Sequence, residues 1–164
     1  MRRALTMAYT DPVTRLPNRL RFVSKLDATV SSEPSLFLVI CDLDRFRQVN
    51  VSFGPRVADM ALTTVAERLR ACASRLQPGK FFLGQSAVSE FLMAAEKVIS
   101  EGMVLEESQL RVTASFGVAR APEDAANGAD LMKLAEVALK EAKNQSGAHR
   151  AFFDKGVLAK ERAK

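Results

Sequence analysis

The most informative hydrophobic pattern in the chain is a continuous apolar run from Leu36 to Cys41 that ends in two aspartates. An uninterrupted apolar run of this length predicts a strand that is buried on both faces. Asp42 and Asp44 follow at positions i and i+2, so their side chains point to the same side of an extended strand end. The pattern therefore predicts a central strand that ends in a pair of carboxylates.

Four other segments have the apolar spacing of amphipathic helices. The first begins after Asn18, a residue type that favours the N-cap position. The turn Phe53-Gly54-Pro55 separates the second and the third segment, because glycine and proline both interrupt a helix. The predicted helices run over residues 19–30, 45–50, 57–73 and 130–144.

The pattern between residues 81 and 100 is compatible with two structures. Phe81 to Leu83 is typical of a short strand, and Gly84 suits a tight turn after it. The apolar residues between 87 and 99 fit helical spacing throughout. They also fit a hairpin whose return strand runs to about Met93, with a helix only from Ala94 to Ser100. We adopt the hairpin, because the glycine turn favours it.

The remaining pattern predicts strands. Met103 to Leu105 and Leu110 to Ala119 are apolar segments joined by a polar turn, and Phe152-Phe153 indicates a closing edge strand. Gly117, inside the second of these strands, indicates a bulge or the close approach of another backbone. The resulting order of elements predicts an α/β fold with a central mixed, mostly antiparallel sheet flanked by helices.

Composition narrows the class of protein. The chain has 164 residues, of which 48% are hydrophobic and 26% charged, as in ordinary globular domains. Its formal charge of +5 is not concentrated in a basic stripe, so we expect no nucleic-acid partner. No apolar segment reaches transmembrane length, although a membrane anchor elsewhere in a longer protein is compatible with this. Cys41 and Cys72 are interpreted as core residues of a cytoplasmic protein.

The pair Asp42 and Asp44 is the strongest candidate for chemistry. Two adjacent carboxylates repel each other unless a cation or a donor lies between them, and a hard cation such as Mg²⁺ prefers oxygen ligands. The alternative is structural: the strand end is solvated, and Asp44 caps the helix that follows. The two residues alone do not decide between a metal site and a cap.

Several blocks of sequence, in order along the chain, resemble the GGDEF domain of diguanylate cyclases. They are Asp11 to Arg19 (DPVTRLPNR), Asp42 to Asn50 (DLDRFRQVN), Phe53-Gly54 with Asp59, Arg111 to Ala119 (RVTASFGVA) and Ala135 to Lys143 (AEVALKEAK). The resemblance implies the palm fold of class III nucleotidyl cyclases. It also implies a relation to enzymes that join two GTP molecules into cyclic di-GMP, each protomer of a dimer holding one substrate.

The same resemblance implies roles for individual residues. Asp42 and the carbonyl of Leu43 match the positions that bind metal in the family. Asn50 and Asp59 match the positions that read the guanine edge. Arg47 and Lys143 match positions that face phosphate. Since the family's reaction is attack of a ribose 3′-hydroxyl on an α-phosphate, it requires cations at the phosphates and a carboxylate near the hydroxyl.

The signature Gly-Gly-Asp/Glu-Glu-Phe, however, is degraded. We align it with Gly84 to Val88, where Gln85 replaces the second glycine and Ser86 and Ala87 replace the two carboxylates. A hydroxyl and a methyl group do not bind a divalent cation as carboxylates do. A second alignment, Ala87 to Phe91, keeps the final Glu-Phe but loses both glycines and the first acid. Val51, Pro55 and Ala58 also replace the family's Asp, His and Gly.

These departures predict a degenerate domain without catalytic residues. We expect residues 1–10 to end a linker helix, 11–153 to form the domain, and 154–164 to lead to an EAL phosphodiesterase-type domain. The expected function is catalytically inactive regulation in cyclic di-GMP signalling, with no required cofactor. The alternatives are an allosteric GTP-binding domain that uses Mg²⁺, an interaction scaffold and an active cyclase, of which the last fits the degraded signature least.

Overall fold

A computed structural model describes residues 8–76, 85–145 and 149–154 of the chain. Ala8 and Tyr9 are helical, and the assignment of residues 1–10 to a linker stays a prediction. Three predictions lie outside the described residues: the helix over residues 1–7, the strand Phe81–Leu83 with its Gly84 turn, and the helical tail over residues 155–164. None of the helices in the described ranges has the length and apolar composition needed to cross a membrane.

The described elements are four helices and five strands. The helices are α1 (Arg19–Ser32), α2 (Phe46–Leu76), α3 (Gln85–Ser100) and α4 (Gly128–Asn144). The strands are β1 (Leu36–Leu43), β2 (Met103–Leu105), β3 (Ser108–Leu110), β4 (Ala114–Ala121) and β5 (Arg150–Phe152). One sheet has the order β1-β4-β5, with β4 and β5 parallel, and β2 and β3 form a separate antiparallel pair. The strand pairing is therefore mixed, as predicted.

The chain divides into two compact units, and the first contains the three-stranded sheet. It comprises the described residues of 1–10, Pro17–Asp42 and the described residues of 115–164. Helix α1 begins where the sequence predicted, because the Asn18 side chain accepts a hydrogen bond from the Arg21 amide. Helix α1 packs on α4. The core beside this contact includes Leu26, Leu38, Ala119, Ala121, Leu131 and Ala135.

Gly117 is the place where the sheet and α4 come closest. A Cβ atom on this residue would lie 2.2 Å from the carbonyl oxygen of Ala135 and 2.3 Å from the amide nitrogen of Leu139. Real Cβ atoms do not approach backbone atoms this closely, so only glycine fits here. The prediction of a close backbone approach at Gly117 is therefore confirmed, and the approaching backbone is that of α4.

Strand β1 is less buried than its sequence predicted. Leu38 is buried, at 5% exposure, whereas most of the other residues of the strand are partly exposed. Cys41 is exposed, so its interpretation as a core residue is wrong, while Cys72 is buried as predicted. Within the described part of the chain, β1 has one neighbouring strand, β4, and this leaves more of its surface accessible than a two-sided position would.

The second unit comprises Asp11–Leu16 and Leu43–Ala114, and its core is built on α2 and α3. Helix α2 consists of two helical segments with a kink between them, since Gly54 has a φ of 83° and Pro55 follows it. This agrees with the predicted turn. The buried residues of α3 share one stripe of the helix, with the spacing i, i+4, i+7 and i+11: Val88, Leu92, Ala95 and Ile99.

The hairpin chosen for residues 84–93 is wrong. Helix α3 begins at Gln85 and continues to Ser100 without interruption. The apolar residues between 87 and 99 therefore follow the helical period, because that period puts them on one buried stripe. The polar turn between β2 and β3 is confirmed, with Glu106 and Glu107 both at positive φ. The predicted strand from Leu110 to Ala119 is instead divided into β3 and β4.

Candidate functional site

Asp42 and Lys143 form an ion pair in the first unit. The Nζ atom of Lys143, in the last turn of α4, donates a hydrogen bond to Oδ2 of Asp42 in β1. The Lys143 side chain is 39% exposed and the Asp42 side chain is 51% exposed, so the pair is accessible to solvent. The structure thus brings together the residue expected to bind metal and one expected to face phosphate.

Asp44, the second carboxylate after the apolar run, has a different partner. Its Oδ2 atom accepts a hydrogen bond of 2.7 Å from the Thr113 hydroxyl. Its backbone amide also donates to the Thr113 carbonyl oxygen, at 2.8 Å. Both bonds lie within the second unit and join the chain after β1 to the segment between β3 and β4. Asp44 therefore has a structural role as a connection within this unit.

Both carboxylates after the apolar run have a protein partner. Mg²⁺ in proteins is held in a near-octahedral arrangement of oxygen ligands that includes one or more available carboxylates. Here the Asp42 carboxylate is paired with an ammonium group and the Asp44 carboxylate with a hydroxyl. Across residues 8–76, 85–145 and 149–154, no three His, Cys, Asp or Glu side chains come together as a metal site.

Leu43, the second expected metal-binding position, is half-buried at the end of β1. Arg47 and Asn50 are exposed in the first segment of α2. Asp59 is exposed in the segment after the kink at Gly54, where its backbone carbonyl accepts a hydrogen bond from the Thr63 hydroxyl. Their roles as metal, phosphate and guanine ligands stay predictions.

Asp59 lies on the wall of an open cavity of about 400 Å³ in the second unit. Neither Arg47 nor Asn50 is among the residues that line it. The Thr63 hydroxyl also lies 3.2 Å from the carbonyl oxygen of Val13, so α2 is joined here to the loop before α1. The cavity combines one carboxylate and two hydroxyl groups with apolar walls, and its lining consists of Pro12, Val13, Asp59, Met60, Thr63, Thr64 and Leu105.

The loop Asp11–Leu16 contributes Pro12 and Val13 to the lining of this cavity, and hydrogen bonds to Asp11 hold its conformation. Its Oδ2 atom accepts hydrogen bonds from the Thr14 hydroxyl at 2.6 Å and from the Thr14 amide at 2.9 Å. Backbone bonds from Asp11 to Leu16 and from Arg15 to Asp11 close the turn, with Arg15 at a positive φ of 63°. The Thr14 hydroxyl, followed by the Thr14 amide, lowers the pKa of the Asp11 carboxyl.

The lowered pKa of Asp11 predicts a pH-dependent contribution to stability. We expect Thr14→Val, which removes the hydroxyl donor, to reduce the free energy of unfolding by about 1 kcal/mol at neutral pH. Because the pKa of Asp11 is lower in the folded state, this contribution is complete above the ordinary aspartate pKa of about 4 and is lost as the pH falls further. Denaturant unfolding of the natural chain and of Thr14→Val across this pH range measures the effect. If the difference between their free energies of unfolding grew on acidification, the prediction would be contradicted.

The described residues aligned with the degraded signature lie in α3. Gln85 is the first residue of the helix, and Ala87 and Val88 follow in its first turn. Val88, at the position of the signature phenylalanine, is 5% exposed and belongs to the buried stripe of the helix. In the second alignment, Glu90 and Phe91 also lie in α3, where Glu90 is exposed. In both alignments, the described residues of the signature are helical.

The sequence reasoning overlooked the roles of Thr113, Thr63 and Thr14. Thr113 bonds to Asp44 across 69 positions of sequence, and no local signal predicts such a contact. Thr63, which joins α2 to Val13, was likewise not recognised as part of a cavity wall. The contact between Asp11 and Thr14 was predictable, since an aspartate that accepts from a residue three positions later is a common turn motif.

The part of the chain that matches a known protein family contains all the blocks of sequence from Asp11 to Lys143. Residues 8–149 match the family described as "Diguanylate cyclase, GGDEF domain". The bifunctional diguanylate cyclase/cyclic di-GMP phosphodiesterase MucR of Pseudomonas aeruginosa is 30% identical over 96% of this chain and 25% of its own length. The signaling protein YkoW of Bacillus subtilis is 28% identical over 96% of this chain and 22% of its own length. The chain thus spans about a quarter of these relatives.

Solved structures agree with the predicted fold. The isolated GGDEF domain of TpbB (YfiN) from Pseudomonas aeruginosa superimposes with a TM-score of 0.84 at 21% identity, over 93% of this chain and 99% of that one. The coiled coil and GGDEF domain of DgcB from Caulobacter crescentus gives a TM-score of 0.77 at 22% identity, over 92% and 88%. The predicted α/β palm fold is therefore confirmed, and the chain belongs to the GGDEF family of diguanylate cyclase domains.

Proposed function

We propose that this domain is a catalytically inactive GGDEF domain that regulates a neighbouring domain or partner in a cyclic di-GMP signalling protein. The observation that carries this proposal is the position of the aligned signature residues in α3. A signature hairpin needs a return strand after its turn, and residues 85–93 are helical instead.

The chemistry of the family also argues for inactivity. Joining two GTP molecules places negative charge on phosphate oxygens, which cations must stabilise, and requires deprotonation of a ribose hydroxyl. The first turn of α3 has no carboxylate at either acidic signature position, because Ser86 and Ala87 occupy them. Asp42, which remains, is paired with Lys143. The aligned signature therefore lacks the two carboxylates that would help to hold metal ions at the substrate.

The relatives favour a role inside a longer protein. MucR is named for both a cyclase and a phosphodiesterase activity, and a second relative, 28% identical over 94% of this chain, is the cyclic di-GMP phosphodiesterase NbdA of Pseudomonas aeruginosa. Both relatives are about four times as long as the part that this chain matches. We propose a covalently linked EAL domain as the partner and a cytoplasmic location for the domain.

A turnover assay tests the inactivity. The purified chain is incubated with GTP and either Mg²⁺ or Mn²⁺, and cyclic di-GMP is measured by liquid chromatography with mass detection. The diguanylate cyclase TpbB, a relative that is 27% identical over 90% of this chain, serves as the positive control. We expect no cyclic di-GMP from this chain. Product formation that depends on Asp42 would overturn the proposal.

The cavity beside Asp59 favours one alternative, an allosteric domain that binds GTP without converting it. Its volume of about 400 Å³ is enough for a purine base. The Asp59 carboxylate is a hydrogen-bond acceptor suited to the donor edge of guanine. In this alternative Asn50 contributes to base recognition, and Arg47 holds a phosphate group.

Calorimetric titration with GTP, with ATP as the control nucleotide, separates the two functions. Binding of GTP but not ATP, lost in Asp59→Asn, supports the allosteric domain. If GTP gives no binding heat, this alternative falls and the inactive regulatory function stands. Asp59→Asn removes the charge but keeps the side-chain size, so a loss of binding reports on the carboxylate itself.

A further inference from the structure

We propose that one surface of the first unit, at the beginning of α1, docks on an anionic lipid bilayer without crossing it. This surface combines exposed basic side chains with exposed apolar ones, and we name it the α1 patch. Its members are Tyr9, Arg19, Leu20, Arg21, Phe22 and Lys25. Docking of this surface does not depend on whether the domain converts or binds GTP.

The apolar members of the α1 patch are accessible to solvent. Leu20 is 64% exposed, Phe22 43% and Tyr9 40%. Tyr9 lies beside the beginning of α1, because its carbonyl oxygen accepts a hydrogen bond of 2.9 Å from the Asn18 amide. Exposed apolar groups that are surrounded by polar ones are typical of interaction sites. A tyrosine also suits the boundary between lipid headgroups and acyl chains, since its ring is apolar and its hydroxyl is polar.

The basic members of the α1 patch lie where they do not stabilise the helix. Arg19 and Arg21 belong to the first turn of α1, which has no acidic residue, and positive charges there oppose the helix macrodipole. Arg21 and Lys25 are four residues apart, so their charges repel each other. The next acid along the helix, Asp27, is directed at α4, where its Oδ1 atom lies 2.2 Å from the position of a Cβ atom on Gly128.

The positive charge of the patch is also not neutralised within the protein. Across the described residues, none of the side chains of Arg19, Arg21 and Lys25 has an ion-pair or hydrogen-bond partner. Three unpaired cations next to exposed apolar groups are complementary to a surface that is anionic outside and apolar beneath. A bilayer with anionic headgroups has this arrangement.

The shape of the patch favours a bilayer over an acidic protein. Residues 19–22 are all exposed, and successive residues of a helix point about 100° apart, so the first turn of α1 is accessible from every side. Such a turn is convex. A stable protein interface buries about 800 Å² on each partner, which one projecting turn does not supply. A fluid bilayer adapts to a convex contact, with the apolar side chains among the headgroups and the arginines at the lipid phosphates.

Co-sedimentation of the natural chain with lipid vesicles tests this docking. The probes are vesicles of phosphatidylcholine alone and vesicles of equal parts phosphatidylcholine and phosphatidylglycerol. We expect binding to the anionic vesicles only, and we expect added salt to weaken it by screening. The double variant Arg19→Gln, Arg21→Gln should bind the anionic vesicles on the order of 25-fold more weakly, about fivefold for each charge. Leu20→Ser should bind about fivefold more weakly, because it removes apolar surface from the contact.

The double variant Arg70→Gln, Lys97→Gln is the matched control, because it removes the same charge from exposed positions of the second unit. It is expected to bind the anionic vesicles like the natural chain. Removal of Arg19 and Arg21 takes two positive charges away from the first turn of α1, so that double variant should be at least as stable as the natural chain in denaturant unfolding. Weaker vesicle binding would then not result from unfolding.

Three outcomes would overturn the proposal: no binding to the anionic vesicles, equal binding to both kinds of vesicle, or the same loss of binding in the two double variants. Poly-L-glutamate serves as a separate probe for an acidic protein surface. Binding to this polymer without binding to the anionic vesicles would assign the α1 patch to a protein partner instead of a bilayer. These measurements contain no nucleotide, so they are separate from the turnover assay.

Discussion

Gly117→Ala is expected to lower the free energy of unfolding by about 3 kcal/mol, the upper end of the usual cost of overpacking a core. The added Cβ atom would lie 2.2 Å from the Ala135 carbonyl oxygen and 2.3 Å from the Leu139 amide nitrogen. Both atoms belong to the backbone of α4, so no side-chain rotation relieves the contact. The helix has to move away from β4, and this separates the buried faces of both elements.

Denaturant unfolding followed by far-ultraviolet circular dichroism measures this effect, since the chain has no tryptophan and one tyrosine. Gly102→Ala is the matched control. A Cβ atom at Gly102 has its nearest neighbour at 3.9 Å, the end of the Arg111 side chain, so we expect a change within about 0.5 kcal/mol. Equal stability of the two variants would contradict the packing of α4 against Gly117.

Arg68→Met is expected to lower the free energy of unfolding by about 2 kcal/mol, as hydrogen bonds to a charged group contribute more than neutral ones. The Arg68 guanidinium donates from α2 to three backbone carbonyl oxygens at the end of α3. These belong to Val98 at 3.2 Å, Glu101 at 2.6 Å and Gly102 at 3.0 Å. Carbonyl groups at the end of a helix have no partner within it, so the arginine satisfies them and joins the two helices.

Arg70→Met is the control for Arg68→Met, because Arg70 is an exposed arginine on the same helix and loses the same charge. We expect its effect on the free energy of unfolding to be within about 0.5 kcal/mol. Hydrogen exchange adds a local measurement: the amides in the last turn of α3 should exchange faster in Arg68→Met. If both arginine variants lose the same stability, the three carbonyl contacts do not contribute as described.

The elements that the sequence predicted well are those defined by neighbouring residues. Asn18 caps α1 because its side chain reaches an amide three residues later. The Gly54-Pro55 turn divides α2 because its backbone conformation is local. Helix α4 begins two residues before its predicted start at Asp130 and ends at Asn144, as predicted, since its apolar residues repeat with the helical period. The family blocks were likewise visible as short runs of adjacent residues.

The wrong predictions concern choices that depend on distant packing. Residues 85–93 had a pattern compatible with a strand or a helix. The segment is helical, because the helix buries its apolar stripe against α2. Cys41 belongs to an apolar run, yet its exposure depends on which strands lie beside β1. The segment from Leu110 to Ala119 had one continuous pattern, but β3 pairs with β2 and β4 with β5.

By itself, the sequence determined the family, the α/β class and the cap at Asn18, because each of these is carried by residue types at short spacing. The tertiary structure alone decided that Lys143 bonds to Asp42, 101 positions away, and that α4 packs directly on Gly117. Contacts of this kind arise when separate elements pack together, and the local pattern of residues does not specify which distant partner a carboxylate will meet.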